Sequence, residues 1–313
     1  MEQVALGNTG LMVNPAGLGC GGYSRLGMRD GGDASIAEGV IRKALDLGIN
    51  FFDTARAYGT EEVLGKTVQL CRDEVIISTK TMFQDREGNY MPAERLVASL
   101  ERSLERMQTD RVEVFSFHGV TLEHLQYCLE VYVPVLQKEI EKGKIRHLGI
   151  TESFMHDPTH EMLKAAIPSG AFDVVMVGFN FLNPCARDEV FPLCIKHGVA
   201  TQIMHAVRRA LSNEEVLLET VQQLIKSGEV SASGINADDP LDFLKSHGDI
   251  ASVTQAAYRF CRHEPGVSVV LNGTGSQDHL VQNVAAIHEA GLPGEIQERL
   301  LKVFGRVRSV SGD

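Results

Sequence analysis

The chain has no C-x-x-C pair, no basic tract and no apolar run as long as a membrane span. Each absence removes a class of protein. Its six cysteines, at 20, 71, 128, 185, 194 and 261, are scattered, so reduced thiols are expected rather than a disulfide framework. The only paired bases of note, Arg208-Arg209, are too few for the basic face that nucleic acid requires. The balance of 41 acidic against 30 basic side chains gives a net charge of −11, which favours solubility. No segment reaches the length of a transmembrane helix. The opening Met1-Glu2-Gln3 has neither a charged n-region nor an apolar h-region, so no secretory leader is expected and the cytoplasm is the expected compartment. Solenoid repeats and low-complexity tracts are also missing. What remains is an ordinary globular composition, 43% hydrophobic and 23% charged over 313 residues, within the length of one α/β barrel.

Short runs rich in Val, Ile and Phe alternate with longer stretches of helical spacing. Val4–Val13 reads as a hairpin turning at Asn8 and Gly10. The strand-like runs after it are Ala16–Leu18, Asn50–Phe52, Val75–Ser78, Val112–Phe117, His147–Ile150, Val174–Val177, Thr201–Met204 and Val267–Leu271. Between them, Leu96, Leu100, Leu104 and Met107 form one apolar stripe and Leu122, Leu125, Leu129 and Leu136 another. After Met204 the regular spacing is interrupted by 211–248, which holds a helical piece, Glu214–Ile225, and a polar stretch; the pattern resumes at Ile250–Phe260. The expected fold is therefore α/β: a (β/α)8 TIM barrel with an N-terminal β-hairpin and a helical and loop insertion after the seventh strand, residues 1–313 forming a single domain. A doubly wound open sheet would usually carry G-x-G-x-x-G between its first strand and helix. The glycines of Gly17–Gly22 do not sit in that context.

In such barrels chemistry sits where strands end. The second run leads into Asp53-Thr54-Ala55-Arg56-Ala57-Tyr58-Gly59, the third ends at Lys80, and the fourth ends at His118. Each has a plain structural explanation: Asp53 as a turn residue, Tyr58 as a loop aromatic, Lys80 as a solvated strand end, His118 as a satisfied histidine. Four such residues at one mouth point instead to proton transfer beside a carbonyl. A phenol with an ordinary pKa of about 10 needs a neighbouring cation to act near neutral pH. Lys80 can supply that cation, Asp53 can hold it, and His118 can hydrogen-bond the substrate oxygen. No Cys/His cluster or H-E-x-x-H suggests zinc, and the strand ends lack the carboxylates that a metal-dependent lyase or isomerase would want.

Gly48–Ala55 with Tyr58-Gly59, then Glu61–Gly65, Ser78-Thr79-Lys80, Ser99–Met107 leading into Thr109-Asp110, His118 and Gly143–Ile150 resemble the aldo-keto reductases. The resemblance runs from the hairpin to Asn283. It implies that Asp53, Tyr58, Lys80 and His118 are a catalytic tetrad with Tyr58 as general acid/base. It also implies a nicotinamide cofactor, NADPH with NADH as the other candidate, bound in extended form along Gly273, Thr274, Gly275, Ser276, His279, Gln282 and Asn283. Gly21, Thr151, Glu152, Met204 and Arg209 complete the implied cofactor set. Small residues and the amides opening a helix suit an anion there on physical grounds as well.

Some positions depart from the family pattern. A Ser-Asn pair and a Gln usually hold the nicotinamide carboxamide, where this chain has Thr151-Glu152 and Met176. Met204 stands for the stacking aromatic, His205–Arg209 for a Pro-Leu motif, and His279 for a basic partner of the 2′-phosphate. The function expected is interconversion of a small aldehyde or ketone with its alcohol. The rival is a catalytically weak barrel that senses a cofactor or binds a partner. Substrate-facing loops are expected at Tyr23–Gly32, Met82–Asn89, Gly119–Thr121 and in the insertion, where Met28, Met82, Phe83 and Tyr90 suggest a partly apolar pocket.

Overall fold

A computed structural model describes residues 2–29, 31–236 and 238–313. Met1, Asp30 in the first of those loops and Ala237 in the insertion lie outside the described residues. Strands β1 (Val4–Ala5) and β2 (Met12–Val13) pair antiparallel as the expected hairpin. The strands β3 (Ala16–Gly19), β4 (Phe51–Asp53), β5 (Ile76–Thr81), β6 (Val112–Val120), β7 (Ile145–Glu152), β8 (Val174–Gly178), β9 (Ala200–Met204) and β10 (Val269–Asn272) follow. Each lies parallel to its successor, and β10 returns to pair with β3, Val270 opposite Ala16, closing a barrel. Every strand-like run of the sequence overlaps one of these strands. The strand β6 runs on past its sequence run to Val120, and its ladder with β7 is irregular between Phe117 and Val120, at His118.

The barrel interior is layered because side chains alternate along each strand. Phe51, Ile76, Val114, Val174, Ala200 and Val269 form the lowest layer, and Leu6 and Val13 from the hairpin segment pack against it. The hairpin therefore plugs the N-terminal end. Two residues further along the same strands come Asp53, Ser78, Ser116, Met176 and Gln202, and two further still Lys80, His118, Gly178 and Met204.

The other face of each strand packs on helices. Leu96, Leu100, Leu104 and Met107 are all buried on the helix Ala93–Met107, as their spacing requires. The second stripe is broken. A π turn at Cys128–Tyr132 separates Leu122–Tyr127 from Val133–Glu141 and rotates the face by its extra residue. Leu125 and Leu136 are buried, Leu122 is exposed, and Cys128 and Tyr132 fill the interior instead. Tyr132 donates its hydroxyl proton to Met91 O at 2.7 Å. The insertion carries Arg209–Ser212, Glu214–Ser227 and Asp242–Lys245 before the barrel helix Val253–Arg262. Asn213 caps Glu214–Ser227 by accepting from Val216 N at 3.1 Å, and Leu217, Val221 and Leu224 bury its inner side. Among the described residues no helix is long and apolar enough to cross a membrane.

Candidate active site

Three adjacent strands and one turn bring the proposed tetrad together at the C-terminal mouth. Asp53 ends β4, Lys80 lies on β5, His118 on β6, and Tyr58 closes the short 3-10 turn Arg56–Tyr58 that follows β4. Lys80 is 1% exposed and Asp53 3%. Lys80 Nζ donates to Asp53 Oδ2 at 2.6 Å, to Asp53 Oδ1 at 2.8 Å and to Thr54 O at 2.9 Å, so its three donors meet three acceptors. Burial pushes the Asp53 carboxyl up and Lys80 pulls it back. Burial likewise opposes the ammonium, but Asp53, and next Tyr58, outweigh it and hold Lys80 above its ordinary value.

Lys80 Nζ lies 5.0 Å from the centroid of the Tyr58 ring. Burial raises the phenol above its ordinary value, Lys80 pulls it down, and Asp53 and Cys20 push it up. The net direction is upward, so Tyr58 stands protonated in the free chain. His118 meets the Tyr58 ring edge-on, with centroids 5.7 Å apart and planes at 89°. Burial first, and then Lys80, hold its pKa down to about 3, so the imidazole is neutral. Gly21 lies against the same phenol. A Cβ there would stand 2.4 Å from a Tyr58 ring carbon, so only glycine leaves room for the ring.

The stretch after β10 runs beside Gly19 and Gly21: a Cβ on Gly273 would lie 3.2 Å from Gly19 O. Thr274 Oγ1 accepts from Ser276 N at 3.0 Å, and Ser276 caps the helix Gln277–His288 by accepting from His279 N at 3.3 Å. Gly275 packs on the Leu26–Gly27 backbone, where a Cβ would be 2.7 Å from Gly27 N. The Gln277 and Asp278 amides, at the head of this helix, have no carbonyl to bond within it. His279 and Gln282 are exposed and Asn283 half-buried. A glycine-lined approach to a helix N-terminus fits the pyrophosphate of a dinucleotide.

Next to that cradle, Met204 ends β9, the strand paired with β10, half-buried and beside Gly178, and Arg209 is exposed at the start of a short helix. Thr151 Oγ1 accepts from Gly119 N at 2.8 Å, tying β7 to the chain next to His118. Glu152 is enclosed. His160 Nδ1 lies 2.8 Å from its Oε2 and 3.0 Å from its Oε1, and Gly178 N donates to Oε1 at 2.7 Å. The sequence assigns no role of their own to three polar residues that bear on the site: His160, Ser78 and Gln202. Ser78 and Gln202 were visible as polar residues in the inward register of their strands. His160 had no such signal, because it reaches Glu152 through a turn held at φ +59°. Among the described residues no group of His, Cys, Asp and Glu is arranged to hold a metal ion.

The chain is similar to known proteins along nearly its whole length. The chain is 30% identical to the L-galactose dehydrogenase of Arabidopsis thaliana, over 97% of this chain and 93% of that one. It is 22% identical to the NADH-specific methylglyoxal reductase of Escherichia coli, over 92% and 94%. Among solved structures, the holo form of an aldo-keto reductase from Bacillus halodurans superposes with a TM-score of 0.72 at 23% identity, covering 96% of both chains. The model of the Aldo/keto reductase family matches residues 18–299, and the chain belongs to that family of oxidoreductases.

Proposed function

We propose that this protein interconverts a small aldehyde or ketone and its alcohol with a nicotinamide cofactor. The observation that carries the reading is the Lys80–Asp53 pair at 2.6 Å, buried beside the ring of Tyr58 and facing a neutral His118. The cofactor, when bound, supplies or takes up the hydride. Gly273, Thr274, Gly275 and Ser276 would hold its pyrophosphate, and Gly21, Thr151, Met204, Arg209, His279, Gln282 and Asn283 would line the rest of its path, whereas the Glu152 carboxylate expected there is turned inward and taken up by His160 and Gly178 N. His118, neutral, donates a hydrogen bond to the carbonyl oxygen and orients it. Tyr58, protonated in the free chain, gives its proton to that oxygen as negative charge develops there. Lys80 lowers the cost of the phenolate left behind, and Asp53 keeps the ammonium in place.

Turnover of an aldehyde with NADPH or NADH tests this, with the alcohol and oxidised cofactor for the reverse direction. L-galactose and methylglyoxal, the compounds in two relatives' names, are natural first substrates. Nicotinamide fluorescence that changes on binding, without turnover of any aldehyde, would favour a weak barrel that only senses the cofactor. The engagement of Glu152 by His160 is the observation on that side.

Lys80→Met removes the one cation that opposes burial at Tyr58. The Tyr58 pKa rises, and alcohol oxidation, which needs the phenolate as base, is slowed most near neutral pH. The rising limb of its pH–rate profile should move to higher pH; an unmoved profile rejects the role of Lys80. Cofactor choice gives a separate prediction. The family resemblance implies a basic partner for the 2′-phosphate at His279, and a bidentate guanidinium holds a phosphate better than one imidazole, so His279→Arg should tighten NADPH roughly tenfold, about 1.4 kcal/mol, and leave NADH unchanged. Equal effects on both dissociation constants would place the 2′-phosphate elsewhere.

A further inference from the structure

The barrel interior is polar at a level that such barrels usually fill with branched apolar side chains. Above the lowest layer, Ser78 on β5 stands between Asp53 on β4 and Gln202 on β9, and all three are buried. Ser78 Oγ lies 3.1 Å from Asp53 Oδ1 and 3.2 Å from Gln202 Nε2. A hydroxyl has one proton, and a carboxylate can only accept. The proton therefore lies toward Asp53, and the group on the other side of the hydroxyl must donate, as the Gln202 amide nitrogen does. Gln202 Oε1 is buried with no hydrogen-bond partner in the structure. A Leu or Met would fill the same space without that unsatisfied acceptor. Among the described residues, the bond to Ser78 is the only hydrogen bond the amide makes.

We propose that Gln202 is a positioning residue for the reaction inferred above: its amide fixes the Ser78 hydroxyl toward Asp53, and through Asp53 and Lys80 it sets how readily Tyr58 releases its proton. The inference rests on that functional reading. The charged and titratable groups facing Tyr58 are Lys80 from β5, Asp53 from β4, His118 from β6 and Cys20 from the end of β3. Asp53 pushes the phenol up and Lys80 pulls it down. A hydrogen bond donated to Asp53 withdraws part of the carboxylate's charge, which leaves more of the Lys80 charge for the phenolate. Loss of that bond raises the Tyr58 pKa.

The test is a pH titration of tyrosinate absorbance, with Tyr58→Phe as the blank that isolates one phenol. Gln202→Met and Ser78→Ala should each raise the Tyr58 midpoint by about half a unit to one unit, the size of one net hydrogen bond. The double variant should move it no further than Ser78→Ala alone, because Gln202 acts through Ser78. A purely structural glutamine would lower thermal stability and leave the midpoint in place. An unmoved midpoint in Gln202→Met overturns the proposal, as does an equal shift in the Ser78→Ala background. Ser78→Ala adds no volume and keeps the test available should Gln202→Met fold poorly. Aldehyde turnover by the unaltered protein is scored separately. An inactive wild type would sink the reductase reading with the titration result standing, and a failed shift would sink the positioning role with turnover intact.

Discussion

Replacing Tyr58 by Phe is expected to lower kcat/KM for aldehyde reduction by about 10²–10⁴-fold, the usual contribution of a general acid. Folding and cofactor binding should change little. The ring is seated by the missing Cβ of Gly21 and by the edge of His118, and Phe keeps both contacts. The hydroxyl is what the mechanism uses, since the Lys80 ammonium is held by Asp53 and Thr54 and His118 is neutral. Lys80 therefore cannot stand in as the donor without breaking a buried ion pair. The neutral imidazole could pass on a proton only by becoming an imidazolate, which its ordinary acidity forbids near neutral pH. Steady-state kinetics with one aldehyde, and cofactor titration by fluorescence quenching, check both halves of the expectation. Near-normal turnover in the variant would reject Tyr58 as the acid. A loss of cofactor affinity as large as the loss of rate would mean that the phenol holds the cofactor rather than the substrate oxygen.

Much of this site is legible in the sequence, and the reason is local. Strand ends carry Asp53, Lys80 and His118, and strand positions follow from short β-branched runs bounded by turns, a pattern that needs no knowledge of partners. The cradle after β10 is legible for the same reason, since a strand, small residues and a helix start follow one another directly. What stayed hidden depends on contacts between distant parts of the chain. Gln202 and Ser78 are 124 residues apart and meet only because β5 and β9 face each other across the closed barrel. The slip of the Leu122–Leu136 stripe required one π turn, which leaves no mark in periodicity. Glu152 shows the limit most clearly. In the sequence it is an acid at a strand end, and nothing nearby indicates what neutralises it. Its partner is a histidine eight residues on, brought under it by a left-handed turn.

That pairing leads to the second large effect, on stability rather than rate. Glu152 and His160 are both buried, with Nδ1 and Oε2 2.8 Å apart and neither side chain exposed. Burial opposes the imidazolium, but the charge of Glu152 and the hydrogen bond to it outweigh that and hold the His160 pKa up to about 10. His160→Leu removes one charge and strands the other, and breaking a buried pair from one side costs about 3–5 kcal/mol. At pH 7 the variant should lose that much in denaturant unfolding. Adding Glu152→Gln should recover more than half of it, because no charge is then left uncompensated and the Gln oxygen can still accept from Gly178 N. The wild type carries its own pH signature. A folded-state pKa above the unfolded value of about 6.5 means that the folded chain retains a proton the unfolded chain has released. The contribution of His160 is therefore complete below about pH 6.5 and is lost as pH rises toward about 10. Unfolding curves of the wild type between these limits should show stability falling, and the double variant should lack that slope. A single variant as stable as the wild type at pH 7 would mean that Glu152 takes up a proton there at little cost, and that the pair at the end of β7 is a neutral hydrogen bond rather than an ion pair.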